Sequence, residues 1–247
     1  FFFYTIFASK DLPDKDELKI LKKLKTDFNQ DVPSEVFHKI YQNPKSNSTG
    51  FDRANLLKAK KILEEAGYFI KNGKLIDPNS NHPITIEFLI SSNSFVMVIT
   101  PMKKNLAKLG IESKIRLVDE NQYAIRINEF DYDIVVSVFA QGLIPGNEQY
   151  SYWHSSGKKI NGSNNLAGID NKAVDYLLEK ITQTSNKEEL QLYTRVLDRV
   201  LLWNFYVIPQ WHNNTYRILY KNKFEMPEIN QLYSIGIDSW WVKDKER

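Results

Sequence analysis

The sequence has no cysteine among its 247 residues, which excludes thiol catalysis, cysteine-ligated zinc and disulfide bonds. No apolar run approaches the ~20 residues that cross a bilayer. The longest such run, residues 1–7, also lacks the flanks of a secretory signal. A large excess of one charge is missing too, because 33 basic residues face 30 acidic ones. We therefore expect no membrane span and no nucleic-acid partner for this chain.

The motifs of common enzyme sites are also missing. The sequence contains neither a phosphate-binding G-x-x-x-x-G-K-[ST] loop nor a G-x-S-x-G nucleophile elbow. Asp131 and Asp133 flank a strand pattern at alternate positions, which favours capping over an acid–base pair. The four histidines have no metal-ligand spacing: His38, His82, His154 and His212. We expect no catalytic residue, no metal and no cofactor.

The patterns that are present predict an α/β fold. Residues 84–90 and 111–117 alternate apolar and polar side chains as strands do, and a helical pattern at 94–109 connects them as a β-α-β unit. Asp119, with Gln122 three residues later, predicts a short helix leading to a third strand at 134–139. That last run is almost wholly apolar, so we expect a central strand buried on both faces.

Further elements surround this unit. The sequence predicts an apolar strand within residues 1–12, a helix over 14–28, a connector over 33–50 and a hairpin at Asn72-Gly73. Asp52 is expected to cap a helix ended by Gly67. Its inward-facing residues are expected to be Leu56, Leu57, Ala59, Ile62, Leu63 and Ala66.

The region after residue 168 predicts two more helices. One is expected to be capped by Asp170 and the other to begin at Ser185 or Asn186, and both should cover the sheet. Residues 206–247 have the pattern of strands and loops that belong to a different body.

The candidate binding site follows the third strand. Open α/β sheets bind ligands beyond the carboxyl ends of their strands, and here a segment without helical period begins, rich in amides and aromatic rings. Gly162-Ser163-Asn164-Asn165 could cradle an anion or turn the chain, and the turn is favoured. Trp153 is expected at the pocket edge, whereas Trp211 could stack on a ligand or pack under the loop. The predicted ligand-binding residues are Phe139, Gln141, Asn147, Glu148, Gln149, Trp153, Asn165 and Trp211.

Six short motifs, in this order, resemble one known family. They are E-A-G-Y at 65–68, L-G-I at 109–111, F-D-Y-D-I at 130–134, I-P-G-N-E-Q at 144–149, N-L-A-G-I-D-N at 165–171 and V-I-P-Q-W at 207–211. The pattern resembles the extracellular solute-binding protein family 5, the periplasmic receptors of ABC importers for oligopeptides, dipeptides and nickel. Its I-P-G-N-E-Q segment looks most like the Yej-type oligopeptide-binding branch associated with microcin C uptake. The resemblance covers nearly all of this chain but only the C-terminal half of a usual family member.

The resemblance implies a type II periplasmic-binding fold, in which two lobes close on a ligand. This chain would supply the second lobe. Residues 1–50 would be its leading segment and connector, 51–212 its α/β ligand-binding lobe, and 213–247 a C-terminal segment belonging to an absent first lobe. Expected partners are a peptide or peptide-like ligand, the membrane subunits of an ABC importer and the missing N-terminal lobe. Since the sequence starts with Phe1, we expect earlier sequence that was removed or encoded elsewhere.

One departure from the family pattern concerns Gln141. Peptide-binding relatives tend to carry at this place an aspartate that pairs with the ammonium group of the peptide. An amide there forfeits roughly 1–3 kcal/mol of charge-assisted bonding, unless Glu148 takes that role. Two alternatives remain open at this point: a non-binding relic of a split receptor gene, and an α/β enzyme with its site near Glu148.

Overall fold

A computed structural model describes residues 1–2, 5–46, 49–142, 144–211, 215–228 and 234–243. His212 and parts of the predicted strand at residues 1–12 fall outside these ranges. The chain divides into two units, Phe1–Val207 and Ile208–Arg247. Among the helices in the described ranges, none has both the length and the apolar character needed to cross a membrane.

Seven α-helices and seven β-strands are found in the described ranges. The helices are α1 (Lys15–Asp27), α2 (Arg53–Glu65), α3 (Ser94–Lys108), α4 (Glu120–Asn128), α5 (Asn147–Trp153), α6 (Lys172–Gln183) and α7 (Lys187–Trp203). The strands are β1 (Phe69–Lys71), β2 (Lys74–Ile76), β3 (Thr85–Ile90), β4 (Glu112–Leu117), β5 (Ile134–Val135), β6 (Phe224–Glu225) and β7 (Trp241–Val242).

The main sheet is parallel and has the order β4-β3-β5. Strand β3, helix α3 and strand β4 form the predicted β-α-β unit, which is confirmed. Helix α3 packs Ile99 against Phe88 and Ile90 of β3 in one buried cluster. Pro101 lies inside this longer helix and not at its first turn.

The prediction that residues 134–139 form the central strand is wrong. The central strand is β3, and β5 pairs with β3 over two residues only, Phe88 with Ile134 and Leu89 with Val135. After Val135 the apolar side chains leave the ladder: Phe139 packs against the helical core. Tertiary packing has here overridden the strand propensity of the run.

Helices α6 and α7 form the centre of a second core, together with α1 and Trp153 of α5. The prediction that these two helices cover the sheet is wrong, because the described residues of their buried cluster include none from β3 or β4. The apolar stripes of α6 and α7 are buried against each other and against Leu21 and Leu24 of α1.

Side-chain caps begin the helices much as the sequence predicts. Asp52 accepts the backbone N–H of Asn55 at 3.0 Å, and Asp119 accepts that of Gln122 at 3.0 Å. Asn186 caps α7. The predicted cap of α6 was one residue early: Asn171 accepts the N–H of Val174 at 2.9 Å, because Asp170 instead pairs with a lysine.

The hairpin β1-β2 is confirmed, with Asn72 and Gly73 both at positive φ in its turn. It lies against the end of α3, where Gly110 has φ +79° and its carbonyl accepts from Leu75 N at 2.8 Å. A Cβ at Gly110 would lie 2.8 Å from both Leu75 N and the Ile70 side chain. Glycine is therefore required here by conformation and by contact.

Two further predictions are wrong, one on the burial of a helix and one on a strand. The apolar residues of α2 do not face a core, since Leu57 is 58% exposed and Ile62 is 55% exposed. The described part of residues 1–12 forms turns and not a strand, because Phe2 and Phe7 pack into a small cluster with Leu190.

In the second unit, β6 and β7 pair antiparallel, and Trp241 Nε1 donates to Glu225 at 3.0 Å.

Candidate ligand-binding site

The backbone that leaves the carboxyl end of β5 is held in place by two tyrosine hydroxyls. Tyr123 donates to the carbonyl of Val136, and Tyr152 donates to the carbonyl of Ala140, both at 3.0 Å. Burial raises the pKa of the Tyr123 phenol above its ordinary value of 10.0. Between these two anchors Val138 is 87% exposed. Residues 136–142 therefore form a segment of fixed position that is partly exposed at the surface, and we call this segment the ledge.

Helix α5 follows the ledge, although the sequence predicts no helix there. Its start is stabilised by Glu148, whose Oε1 accepts the backbone N–H of Gly146 at 2.9 Å, while Gln149 N donates to the Gly146 carbonyl at 3.0 Å. The helix has seven residues, too few for a clear apolar period. The spacing of Gln149 and Trp153 by four residues was the available signal.

A buried chain of side-chain hydrogen bonds, which we call the relay, connects α5 to the ledge. Trp153 Nε1 donates to Gln149 Oε1 at 3.0 Å, and Gln149 Nε2 donates to Gln141 Oε1 and, at 3.2 Å, to Glu148 Oε1. The ring of Phe139 packs on Trp153 with 4.7 Å between centroids. Both Gln149 and Trp153 are fully buried. The relay therefore fixes the position of the ledge from below.

The predicted site residues fall into distinct groups. Gln141 and Glu148 are half-buried and Asn147 is exposed, so these three reach the surface near the ledge. Phe139 is half-buried against the helical core. The structure places Gln149, Trp153 and Asn165 in the interior, each 0% exposed. Trp211 belongs to the second unit and is 64% exposed.

Asn165 closes the loop that follows α5. Its Nδ2 donates to the carbonyls of His154 and Ile169 at 3.1 and 2.9 Å, and its Oδ1 accepts from Ile169 N at 2.8 Å. Gly162, at φ +77°, donates its N–H to the carbonyl of Asn128 at 3.0 Å. Residues 162–165 thus turn the chain, as the favoured interpretation of the sequence predicted.

The sequence reasoning missed a carboxylate that fastens this loop to α6. Asp175 accepts from Ser155 N at 2.8 Å and from Ser155 Oγ at 2.6 Å, and Lys172 Nζ lies 3.3 Å away. His154 Nε2 is 3.8 Å from the same carboxylate. Within the described ranges, the histidines, aspartates and glutamates form no group of three able to hold a metal ion.

A cavity of about 480 Å³ opens beside the first turn of α5. Its floor includes Phe7, Ile181 and Leu190, and Asn147 lies on its rim. The lining of this cavity therefore combines apolar side chains with amide groups and one charged side chain, Lys187. Such a surface suits binding by shape and hydrogen bonds.

Solved structures with the same fold are ligand-binding proteins. The chain is similar to the oligopeptide-binding protein AppA from Bacillus subtilis, solved with a nonapeptide, with a TM-score of 0.59 and 18% identity over 94% of this chain and 48% of that one. It is also similar to a periplasmic oligopeptide-binding protein from Thermotoga maritima, with a TM-score of 0.58 and 18% identity over 84% and 40% of the two chains. The mixed α/β fold is that of the type II periplasmic-binding proteins.

Sequence comparisons identify the family of this chain within the fold class. The family described as bacterial extracellular solute-binding proteins, family 5 Middle, matches residues 19–161, and the chain belongs to that family. The probable peptide-binding protein YejA of Agrobacterium fabrum is 40% identical over 98% of this chain and 39% of its own length. The peptidoglycan-binding protein YepA of the same organism is 31% identical over 92% of this chain and 36% of its own length. The chain thus spans little more than a third of these relatives.

Proposed function

We propose that this chain forms one ligand-contacting lobe of a periplasmic receptor that captures a peptide or peptide-like solute for an ABC importer. Capture would use closure against a second lobe, a hinge motion typical of two-lobed binding proteins. The observation that carries the proposal is the ledge at residues 136–142, which is fixed by a buried relay and leaves polar side chains at the surface. Its place beyond a parallel strand is where such sheets bind ligands.

The proposal divides the predicted site residues by role. Gln141, Asn147 and Glu148 reach the surface and would contact ligand through amide and carboxylate groups. Gln149 and Trp153 would not contact the ligand, because both are fully buried. They would hold the ledge in position through hydrogen bonds. An arrangement of a few polar groups on a preformed surface is typical of small-ligand sites.

The ligand class is supported by relatives. One relative is called a probable peptide-binding protein and another a peptidoglycan-binding protein. The structurally similar protein from Bacillus subtilis was solved with a nonapeptide. All of these ligands offer amide carbonyl and N–H groups, which match the side-chain amides of Gln141 and Asn147.

The test is a chimera in which this chain replaces the aligned stretch of the Agrobacterium fabrum YejA protein. Cooperative thermal unfolding and the circular dichroism spectrum first establish that the chimera is folded. Calorimetric titration with pooled nonapeptides and with the tetrapeptide STSA then measures binding. We expect a saturable heat of binding, with a negative heat-capacity change from apolar burial.

Two matched variants locate the contact. Asn147→Ala removes an exposed amide at the start of α5 and should weaken binding several-fold, whereas Asn164→Ala removes an exposed amide outside the ledge and should leave affinity unchanged. A folded chimera that binds no peptide would count for the relic alternative. Equal effects of the two variants would show that Asn147 makes no specific contact with the ligand.

A further inference from the structure

The cavity of about 480 Å³ beside the first turn of α5 has walls from several parts of the first unit. They are the segment that leads into α5, the end of α6 with the start of α7, and Phe7. A cavity of this volume falls in the range of about 300–1,000 Å³ that small-ligand sites occupy. Its apolar lining consists of Phe7, Ile144, Pro145, Ile181 and Leu190.

Hydrogen bonds hold the walls of this cavity in position. The backbone N–H of Phe7 donates to Thr5 Oγ1 at 3.1 Å. Two residues later, Ser9 donates from its backbone N and its Oγ to the carboxylate of Asp198, both at 2.9 Å. Asp198 is 2% exposed, so water competes poorly for these bonds. A second wall, at the start of α5, is held by the carboxylate of Glu148. The cavity is therefore present before any ligand enters, which lowers the cost of binding.

Several polar groups of the lining are already bonded within the protein. Thr182 Oγ1 donates to the carbonyl of Leu178 at 3.0 Å, and Thr184 Oγ1 donates to Glu189 Oε2 at 2.9 Å. Asn186 caps α7 by accepting from Glu189 N through its Oδ1 at 3.0 Å. Because the oxygen of this amide is engaged by the helix, its NH₂ group is the part that can donate to a ligand.

Charges of both signs border the cavity. Lys187 lines it, and the carboxylate of Glu189 is fixed next to Thr184. The carboxylate of Glu148 lies beside Gly146, where an added Cβ would be 3.3 Å from Oε2. A charged ligand group would be attracted by one of these charges, repelled by another and deprived of its hydration. An uncharged group avoids the repulsion and most of the desolvation cost.

We propose that this cavity is a second binding site, which takes an uncharged molecule with an aryl or acyl body and a carbonyl that accepts from the amide of Asn186. The apolar side chains would cover the body, and the NH₂ group of Asn186 would orient it. The residues that line the cavity in the described ranges include none of the ledge residues 136–142. The site therefore goes beyond the proposed function, and we expect it to bind whether or not the ledge holds a peptide.

The test is a fluorescence titration of this 247-residue chain with prodan, a neutral dimethylaminonaphthalene ketone whose emission shifts to shorter wavelength in apolar surroundings. We expect saturable binding. The matching dimethylaminonaphthalene carboxylate, in which an anionic group replaces the ketone, should bind about tenfold more weakly. Binding of the carboxylate as tight as that of the ketone would overturn the claim that the site takes uncharged groups. A titration with prodan that shows no saturation would overturn the site itself.

Variants of two exposed isoleucines locate the bound probe. Ile144 is 68% exposed and lines the cavity, so Ile144→Asn replaces part of an apolar wall and should weaken prodan binding about fivefold. Ile160→Asn is the matched control, because Ile160 is 59% exposed and is not part of the lining. Circular dichroism and thermal unfolding establish that both variants are folded. Equal affinities of the two variants would place the probe elsewhere and overturn the proposal.

Asn186→Asp tests the role of the amide, because aspartate can still cap α7 with a side-chain oxygen but has no NH₂ group. We expect prodan to bind several-fold more weakly to this variant. Unchanged affinity would overturn the assignment of Asn186 as the donor.

A competition measurement separates this site from the ledge. In the chimera, the affinity for prodan should be the same with and without saturating nonapeptide. Displacement of prodan by the peptide would overturn the assignment of a second site. A chimera that binds no peptide would count against the proposed function alone, because the titrations of this chain and its variants decide the inference without any peptide.

Discussion

Asn165 makes three hydrogen bonds from a fully buried side chain, and its neighbour Asn164 is exposed. Replacing Asn165 by alanine leaves the carbonyl of His154 and the N–H and C=O of Ile169 without their partner. Because unsatisfied buried groups are expensive, we expect Asn165→Ala to lower the free energy of unfolding by about 2–4 kcal/mol. Chemical denaturation followed by circular dichroism measures it.

The control for this prediction is Asn164→Ala, which removes one exposed hydrogen bond to Ser151 Oγ at 2.8 Å. We expect a change within about 0.5 kcal/mol there. Equal losses for the two asparagines would show that Asn165 does not hold the loop as described.

At the residue level, the sequence identified the segment that carries the candidate site but not which of its side chains are buried. The residue types of Gln149 and Trp153 are compatible both with contact to a ligand and with contact to each other, and the sequence alone does not distinguish the two. The distinction depends on helix α5, which brings residues four apart together and lies under Phe139. Seven residues gave too short a period to predict that helix.

At the level of elements, helix α4 is tied to the sheet by Glu87 of β3. Arg126 Nη2 donates to Glu87 Oε1 at 2.8 Å and Arg116 Nε donates to Oε2 at 3.2 Å. These hydrogen bonds, that of Arg126 first, hold the pKa of the Glu87 carboxyl below its ordinary value of 4.5. The carboxylate therefore stabilises the fold at pH values above its unfolded pKa, and that contribution is lost as the pH falls through the lower folded pKa.

We expect Glu87→Gln to flatten the acid limb of the stability-versus-pH curve below about pH 4.5. Because the Glu87 side chain is 23% exposed, the effect at neutral pH should be about 1 kcal/mol or less. Glu112→Gln is the control, since Glu112 is half exposed and lies 3.7 Å from Lys74. An acid limb that responds equally to both substitutions would contradict the assignment.

Helices α1 and α7 are joined by an ion pair inside the helical core. Arg199 Nη2 donates to Glu17 Oε2 at 2.8 Å, and the two side chains are 2% and 0% exposed. Arg195 Nε lies 3.1 Å from the other oxygen, close enough to pair although the angle does not make a hydrogen bond. Both arginines therefore face the buried Glu17 carboxylate.

Arg199→Met should lower the free energy of unfolding by about 3 kcal/mol, because it leaves a buried carboxylate with one poorly aligned partner. The double variant Glu17→Met/Arg199→Met removes both charges and should recover most of that loss. Denaturant midpoints of the three proteins measure it. A double variant less stable than the single one would show that the pair is a net source of stability.

Most elements with strong local signals were predicted, and their packing was not. Caps at Asp52 and Asp119 and the turn at Asn72-Gly73 act through neighbouring residues, so the sequence contains all of their information. The surface against which α6 and α7 pack depends on contacts with α1, more than a hundred residues away. The local apolar pattern of the two helices contains no information about that partner.

At the scale of the whole molecule, the first unit holds three buried clusters, and two of them contact the ledge. One lies between α3 and the parallel sheet, and the other is built by α1, α5, α6 and α7. The ledge at residues 136–142 runs between them, with Val136 packed on the first cluster and Phe139 on the second. Its position is therefore set from both sides, which is the preorganisation that a binding surface needs.

The most direct test of this account is amide hydrogen exchange of the chimera, measured by mass spectrometry with and without saturating nonapeptide. We predict that peptide slows exchange over residues 136–149 and leaves the buried helices α6 and α7 unchanged. Peptide bound with exchange over residues 136–149 unaltered would contradict the claim that this ledge forms the ligand surface.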